Sequence, residues 1–366
     1  MKRILLLCFV LSLLLAVGCG GTAEVSEVAT SKEHAYFPEM LSQTNVLHNS
    51  FVELESGCYY QSSERIYFIP RGSDSAYPLC GKPNCAHRDK NCNAYCGYAF
   101  GYYNGALYSV MLNENVEFSL VKMNLDGSNH AEVYQPKIGL SGTYNFIFHD
   151  GLVLMEVSGN SAILEEALDH LVVIDLSDFS QTELFTDYFA DGSRMSVYEI
   201  FNNKLYGFSN HYRHSGEDCH FMEWDMTTGQ ARKLSDLMLG IGLATETTFY
   251  YMESGAGFRE LDLTTGEVVD RGLPVEDAFW ATYDEELIYL MGNARNNGAE
   301  HTLYFLTREY ELLGQVELTD NLFYGYVSTD RVYFIDQSNP QTCPITYYID
   351  KADIGSENLT LKPFRQ

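Results

Sequence analysis

From Ser50 onward one pattern returns about every 44 residues: a short aromatic strand, a polar turn, a second strand ending in tyrosine, then an alternating strand closed by aspartate and a turn. The second strands begin with Ser63-Glu64-Arg65-Ile66-Tyr67 and Asn104-Gly105-Ala106-Leu107-Tyr108, and their counterparts start at Asp150, Asn202, Glu246, Glu285 and Asp330. Third strands run Leu120 to Gly127, Leu171 to Leu176, Met222 to Gly229 and Phe258 to Gly266; Leu303 to Glu317 and Ile345 to Ile349 fit the same slot less well. Gly127, Gly229 and Gly266 suit turns that need a positive φ, and the neighbouring Asp and Thr oxygens can hold the turn backbone. A unit of this length with four short strands is the size of a propeller blade. The units account for residues 50–366. The sequence therefore predicts an all-β chain, a single closed β-propeller with seven blades of four antiparallel strands. Each small sheet would bury both faces against its neighbours, which lets one domain exceed the usual globular size. Two β-sandwiches would call for a compositional break that is missing, and a solenoid repeat is shorter.

Composition agrees with strands. Hydrophobic residues form 46% of the chain, too many for a disordered acidic segment, and its 27 Tyr and 21 Phe favour sheet over helix. Apolar residues at helical period persist nowhere for three turns, with Ile163 to Leu168 and Ser235 to Leu239 the nearest exceptions. Against 23 Lys and Arg stand 50 Asp and Glu, a formal charge of −27. That balance excludes a protein that wraps nucleic acid or coats an anionic membrane by charge.

Lys2 and Arg3 precede an apolar run from Ile4 to Val17, then small residues and Cys19, the layout of a signal peptide. As a helix the run spans only about 21 Å against a hydrocarbon core of about 30 Å, too short to cross. Leu15-Ala16-Val17-Gly18-Cys19 resembles a bacterial lipobox, so residues 1–18 are expected to be removed and Cys19 to carry the lipid. Two acyl chains would anchor the protein stably outside the cytoplasm. Residues 19–49 then read as a lipidated N-terminus and spacer, in which Tyr36 to Leu47 can contribute a short packed element.

Four of the nine cysteines fall in one segment at about residues 80–96, as Cys80-x4-Cys85-x-His87-x4-Cys92-x3-Cys96. Export favours disulfides, so two bonds among Cys80, Cys85, Cys92 and Cys96 are expected, with His87 an ordinary turn residue and no cofactor. The alternative is zinc held by thiolates and His87, although the paired Cys-x2-Cys knuckles of common structural sites are missing. Cys58 and Cys343 belong to the first and last units, which become neighbours when a ring closes, so a bond between them is conceivable beside the reading of buried thiols. Cys219 follows Glu217-Asp218, which disfavours a thiolate nucleophile.

Pro78-Leu79-Cys80-Gly81-Lys82-Pro83-Asn84-Cys85-Ala86-His87, Cys92 and the Asp-Leu-Thr-Thr-Gly turn resemble a group of Firmicutes cell-surface lipoproteins with propeller-like repeats of the DUF5050 type. The resemblance implies the fold and the lipid anchor and no particular reaction.

No Gly-x-Ser-x-Gly, His-Glu-x-x-His, phosphate-binding glycine loop or EF-hand loop occurs. Glu165-Glu166, Asp277 and Asp284-Glu285-Glu286 are the acids considered for hydrolysis, against solvated faces and turn caps as their ordinary roles. His211, Tyr212, Arg213 and His214 lie in a long polar turn that can contact a ligand or be a solvated insertion. Tyr59-Tyr60, Tyr102-Tyr103 and Tyr250-Tyr251 offer stacking surfaces or, for one of each pair, blade core. The expectation is a monomeric, membrane-anchored binding or scaffold protein for an extracellular protein, peptide or glycan, with the ligand at the central mouth and no nucleic acid partner. A cell-surface polysaccharide hydrolase or lyase with scattered acids is the second reading.

Overall fold

The computed structural model describes residues 40–42, 51–115, 117–136, 143–158, 170–186, 193–211, 220–235, 242–253, 257–275, 278–284, 286–293, 301–319, 321–338 and 344–365. They form seven antiparallel sheets arranged as the blades of a closed propeller. Blade 1 holds Phe51–Leu54, Gly57–Ser62, Arg65–Pro70 and Tyr77–Pro78, with Met40–Ser42 added beside its first strand. Blade 2 holds Ala99–Tyr103, Ala106–Leu112, Phe118–Met123 and Ala131–Tyr134. Blades 3 to 6 repeat this meander, starting at Thr143, Ser193, Gly242 and Ala278, and blade 7 runs from Leu322–Val327 to Lys362–Pro363. The short packed element expected near residues 36–47 is thus the strand Met40–Ser42; the leader, Cys19 and the rest of the spacer lie outside the described residues.

The inner strands bury both faces. Ala106–Leu112 is buried at every position but the last, and Leu287–Asn293 is nearly so, because a blade on each side covers the sheet. The outer strands, which lack a covering blade, are exposed: every residue from Val268 to Arg271 faces solvent. Each junction between consecutive blades holds one apolar cluster, and the cluster of Phe51, Tyr60, Tyr326, Tyr333 and Phe364 joins blade 7 to blade 1. A fully buried apolar side chain contributes about 1.5–3 kcal/mol. The repeat tyrosines Tyr108, Tyr206, Tyr289 and Tyr333 are all buried, so the tyrosine signal of the repeat is mainly a core signal, Tyr250 alone among the later units being partly exposed.

The repeat corrects itself in blade 1. There the turn between first and second strands is Glu55-Ser56, so Tyr59, not Tyr67, is the counterpart of Tyr108. Ser63-Glu64-Arg65-Ile66-Tyr67 opens the third strand instead. Ser63-Glu64 is a second polar turn, with Ser63 at φ 58°, so both turns of the blade carry the same sequence pattern.

Ring closure uses both ends of the folded chain. Ala76 N–H donates to Arg365 O (2.8 Å) and Arg365 N–H to Asp74 O (2.9 Å), tying the tail to the outer hairpin of blade 1. Nearer the axis, Thr329 N–H and Oγ1–H of blade 7 both donate to the carboxylate of Glu53, each at 2.7 Å.

Candidate metal centre and rim cleft

The outermost strand of blade 1 is interrupted. Tyr77 and Pro78 pair with Phe68 and Tyr67, and Leu79 N–H donates to Ile66 O (2.9 Å). Continued pairing would place Cys80 opposite Arg65, but that position is taken by Tyr95. Ile66 N–H donates to Ala94 O (2.8 Å) and Cys96 N–H to Glu64 O (2.9 Å), so the strand resumes only after an excursion from Cys80 to Asn93. The excursion is rich in Lys, Asn, Asp and Arg, and has too few apolar groups for a core of its own.

What gathers it is a group of four side chains. The sulfurs of Cys80, Cys85 and Cys92 and a ring nitrogen of His87 all lie within 4.8 Å of one another, with His87 Nδ1 3.3 Å from Cys92 Sγ. Asn84 (φ 58°) and His87 (φ 52°) adopt the left-handed backbone on either side of Cys85, which curls this short stretch tightly enough to bring its donors together. Asp89 Oδ1 caps Asn91 N–H, and Lys82 Nζ donates to Asn91 O across the loop. Cys92 packs in the apolar junction of blades 1 and 2, so one side of the group is fixed to the ring. From blade 2, His130 Nε2 reaches Asn93 O at 3.0 Å.

Electrostatics differ within the group. Burial pushes the Cys92 thiol up to about 12, with the Cys85 and Cys80 sulfurs adding to the effect. Burial also opposes ionisation of Cys80, yet the N–H groups of Lys82 and Asn93 and the thiols of Cys85 and Cys92 outweigh it and hold Cys80 below its ordinary value. Ala94 N–H points at Cys92 Sγ (3.4 Å).

The two disulfides expected here are not formed: Cys80, Cys85, Cys92 and Cys96 are free thiols. Three sulfurs converge with an imidazole on one point, whereas Cys96 is wholly buried and stands apart from the group. Of the five residues considered for metal, Cys96 therefore leaves the set, and Cys80, Cys85, His87 and Cys92 remain in it. Cys58 is likewise a free buried thiol, whose pKa is raised by burial and by Glu53 and Asp330; Cys343 and Cys219 lie outside the described residues.

Beside these four side chains a cleft of about 590 Å³ opens between the outer strands of blade 1, the excursion and the third-to-fourth-strand turn of blade 2. One wall is aromatic: Tyr59 and Phe68 lie with ring centroids 4.7 Å apart, and Phe68 and Tyr77 meet edge-to-face at 5.7 Å. Lys82, Asn93, Asp126 and Ser128 supply polar groups around it. The cleft sits on the outer rim rather than at the expected central mouth, and sequence reading missed it because its walls come from two blades and an insertion.

The other candidates divide. His211 ends the second strand of blade 4, opposite Ser193, while Tyr212, Arg213 and His214 lie outside the described residues, as do Glu165, Glu166, Asp277 and Glu285. Asp284 is a strut: Lys351 of blade 7 pairs with it at 2.7 Å and Tyr289 donates to it at 2.5 Å. Glu286 donates its N–H to the same carboxylate, in the turn that opens the second strand of blade 6.

No protein-family model matches the chain, and no curated protein matches it. Solved structures do. Puromycin hydrolase is similar at 13% identity with a TM-score of 0.53, over 90% of this chain and 57% of that one. An oligogalacturonate lyase in complex with manganese aligns at 12% identity and a TM-score of 0.48, over 70% of this chain and 72% of the other. BamB from Moraxella catarrhalis aligns at 11% identity and a TM-score of 0.40, over 81% of this chain and 96% of that one. At such identity the likeness to puromycin hydrolase establishes the propeller architecture alone.

Proposed function

We infer that the chain is an extracytoplasmic propeller, held at the bacterial membrane by lipid on Cys19, which binds a protein, peptide or glycan and positions it without converting it. The observation that supports this most is the rim cleft. Partly exposed Phe68 and half-exposed Tyr77, backed by the buried Tyr59, offer apolar ring surface for a sugar ring or an apolar side chain, and its polar groups carry both signs of charge. Tyr77 is half exposed, the position of a contact residue more than of a core one. The buried acids Glu53, Glu223 and Asp284 are meanwhile engaged by cations or hydroxyls of the scaffold, as structural acids should be.

The test is a binding panel of cell-wall glycans, peptides and secreted proteins presented to the full chain, with Tyr77→Ala as the cleft variant. Saturable binding of one class, weakened about tenfold or more by Tyr77→Ala, is expected. Turnover of a polysaccharide with no binding partner in the panel would reject the reading. Incorporation of labelled fatty acid into the wild type and its loss in Cys19→Ala checks the anchor.

A further inference from the structure

We propose that Cys80, Cys85, His87 and Cys92 bind one Zn²⁺ as a closed structural centre that folds the excursion of blade 1 and fixes the near wall of the rim cleft. This inference stands independently of what the cleft binds.

Four features carry it. The first is the donor set. With Zn–S distances of about 2.3 Å and Zn–N of about 2.1 Å, a tetrahedral ion requires donors roughly 3.5–3.8 Å apart. The four atoms here already lie within 4.8 Å of one another, and the His87–Cys92 pair is at 3.3 Å. A tetrahedron is thus reached by small side-chain adjustments. A disulfide would instead join two sulfurs at about 2.05 Å and strand the third thiol and the imidazole beside it.

The second is the surrounding hydrogen bonding. The N–H group of Ala94 points at the Cys92 sulfur at 3.4 Å, and His130 Nε2 of blade 2 reaches Asn93 O at 3.0 Å beside the group. Amides directed at sulfur stabilise thiolates and orient them on a metal, the outer-shell role such sites require.

Charge is the third. Three thiolates on a divalent cation leave one net negative charge. From Cys80 to Cys92 the chain carries Lys82, Arg88 and Lys90 against Asp89 alone, a basic stretch in a protein where acids outnumber bases by more than two to one. That local reversal offsets the charge of the centre.

The fourth is folding. The excursion has no core, contains two left-handed residues that are not glycine, and yet presents a defined wall to the cleft through Cys80, Lys82 and Asn93. A four-ligand ion supplies the missing cohesion, as in small metal-dependent folds. Because all four positions are filled by the protein, the centre has no open site for substrate, and its role is structural. Zinc also suits the compartment: it has no redox chemistry of its own, and thiolates bound to it are withheld from the oxidation that would otherwise pair them.

Elemental mass spectrometry of the full chain, purified in detergent from cells given zinc, is expected to show one zinc per chain. Cys85→Ser and Cys92→Ser should lose that zinc, while Cys58→Ala, in the junction of blades 7 and 1, should keep it. Should a ligand variant fail to fold, the wild type loaded with Co²⁺ decides alone: intense visible bands and thiolate charge transfer mark a tetrahedral site, and a weak octahedral spectrum overturns the proposal. It is equally overturned by zinc-free wild type whose non-reduced digest links Cys80, Cys85 or Cys92 in disulfides, or by zinc that survives Cys85→Ser.

Discussion

Glu53 is wholly buried, and its carboxylate is held from three sides: Arg71 Nη2 at 2.9 Å within its own blade, and the backbone and hydroxyl of Thr329 across the closing junction. Replacing it with alanine removes three charge-assisted bonds and the tie across the closing junction, although Thr329, an exposed residue, and Arg71, about a third exposed, regain water. The expected loss is about 2–3 kcal/mol, read from the urea midpoint at constant m-value. Asp284 makes the equivalent strut between blades 6 and 7. Burial by itself raises its pKa, but the Lys351 ammonium, the Tyr289 hydroxyl and the Leu287 N–H favour the anion more strongly and leave it below the usual 3.8. A carboxylate with a depressed folded-state pKa stabilises the fold above its unfolded pKa and loses that contribution as the pH falls through the folded value. The stability gap between wild type and Asp284→Asn, measured by thermal unfolding, should be constant above about pH 5 and close at more acidic pH. A gap that widened on acidification would refute the strut. Neither acid was distinguishable by sequence. Asp284 sits in an acidic triplet that resembled a catalytic candidate, because a one-dimensional pattern does not show that Lys351, far along the chain, stands opposite.

Strands and turns were more legible than partners. Asp225 and Asp262 each accept two N–H bonds from the following threonines, and Gly229 and Gly266 take φ 69° and 75°, as the Asp-x-Thr-Thr-Gly spelling implies. Those devices are local, so they survive in the sequence. The interrupted outer strand of blade 1 is not local: its two halves pair with one neighbour across an intervening loop, and cysteine spacing alone left disulfides and metal both open. Blade 2 buttresses that loop through Gly127, at φ 75°, where an added Cβ would lie 2.2 Å from Leu79 O. Gly127→Ala meets both a left-handed backbone cost of about 1–2 kcal/mol and a backbone clash. It should therefore destabilise the blade 1–2 junction and raise hydrogen exchange in residues 79–96 while blades 4 to 6 keep their protection. Gly229→Ala, whose Cβ would meet nothing within 4 Å, should show the backbone cost without the change in that loop.

A propeller stands or falls by its closure, because every blade needs a neighbour on both faces. Among the described residues no strand is shared between blade 1 and blade 7: blade 1 is built from the N-terminal side and blade 7 from the C-terminal side. Side chains and the Arg365 segment bridge the last seam. Deleting residues 362–366 removes Phe364 from that seam and the pairing with Ser75. The shortened chain should unfold at lower temperature, with exchange protection lost first at Phe51, Tyr60 and Tyr333 and last in blades 3 to 5. Uniform loss would mean that the seam is not the weak point. The closed ring was readable from the repeat because its seven junctions are filled by apolar residues of the blade strands, six with buried aromatics and the one between blades 3 and 4 with aliphatic side chains and Met226. The first blade departs from that plan, and there the proposed metal stands in place of crosslinks. Anomalous diffraction across the zinc absorption edge, on crystals of the zinc-loaded full chain, tests it most directly. A single strong peak is expected about 2.3 Å from the sulfurs of Cys80, Cys85 and Cys92 and about 2.1 Å from the His87 ring. Continuous density between two of those sulfurs, with no peak, would contradict it.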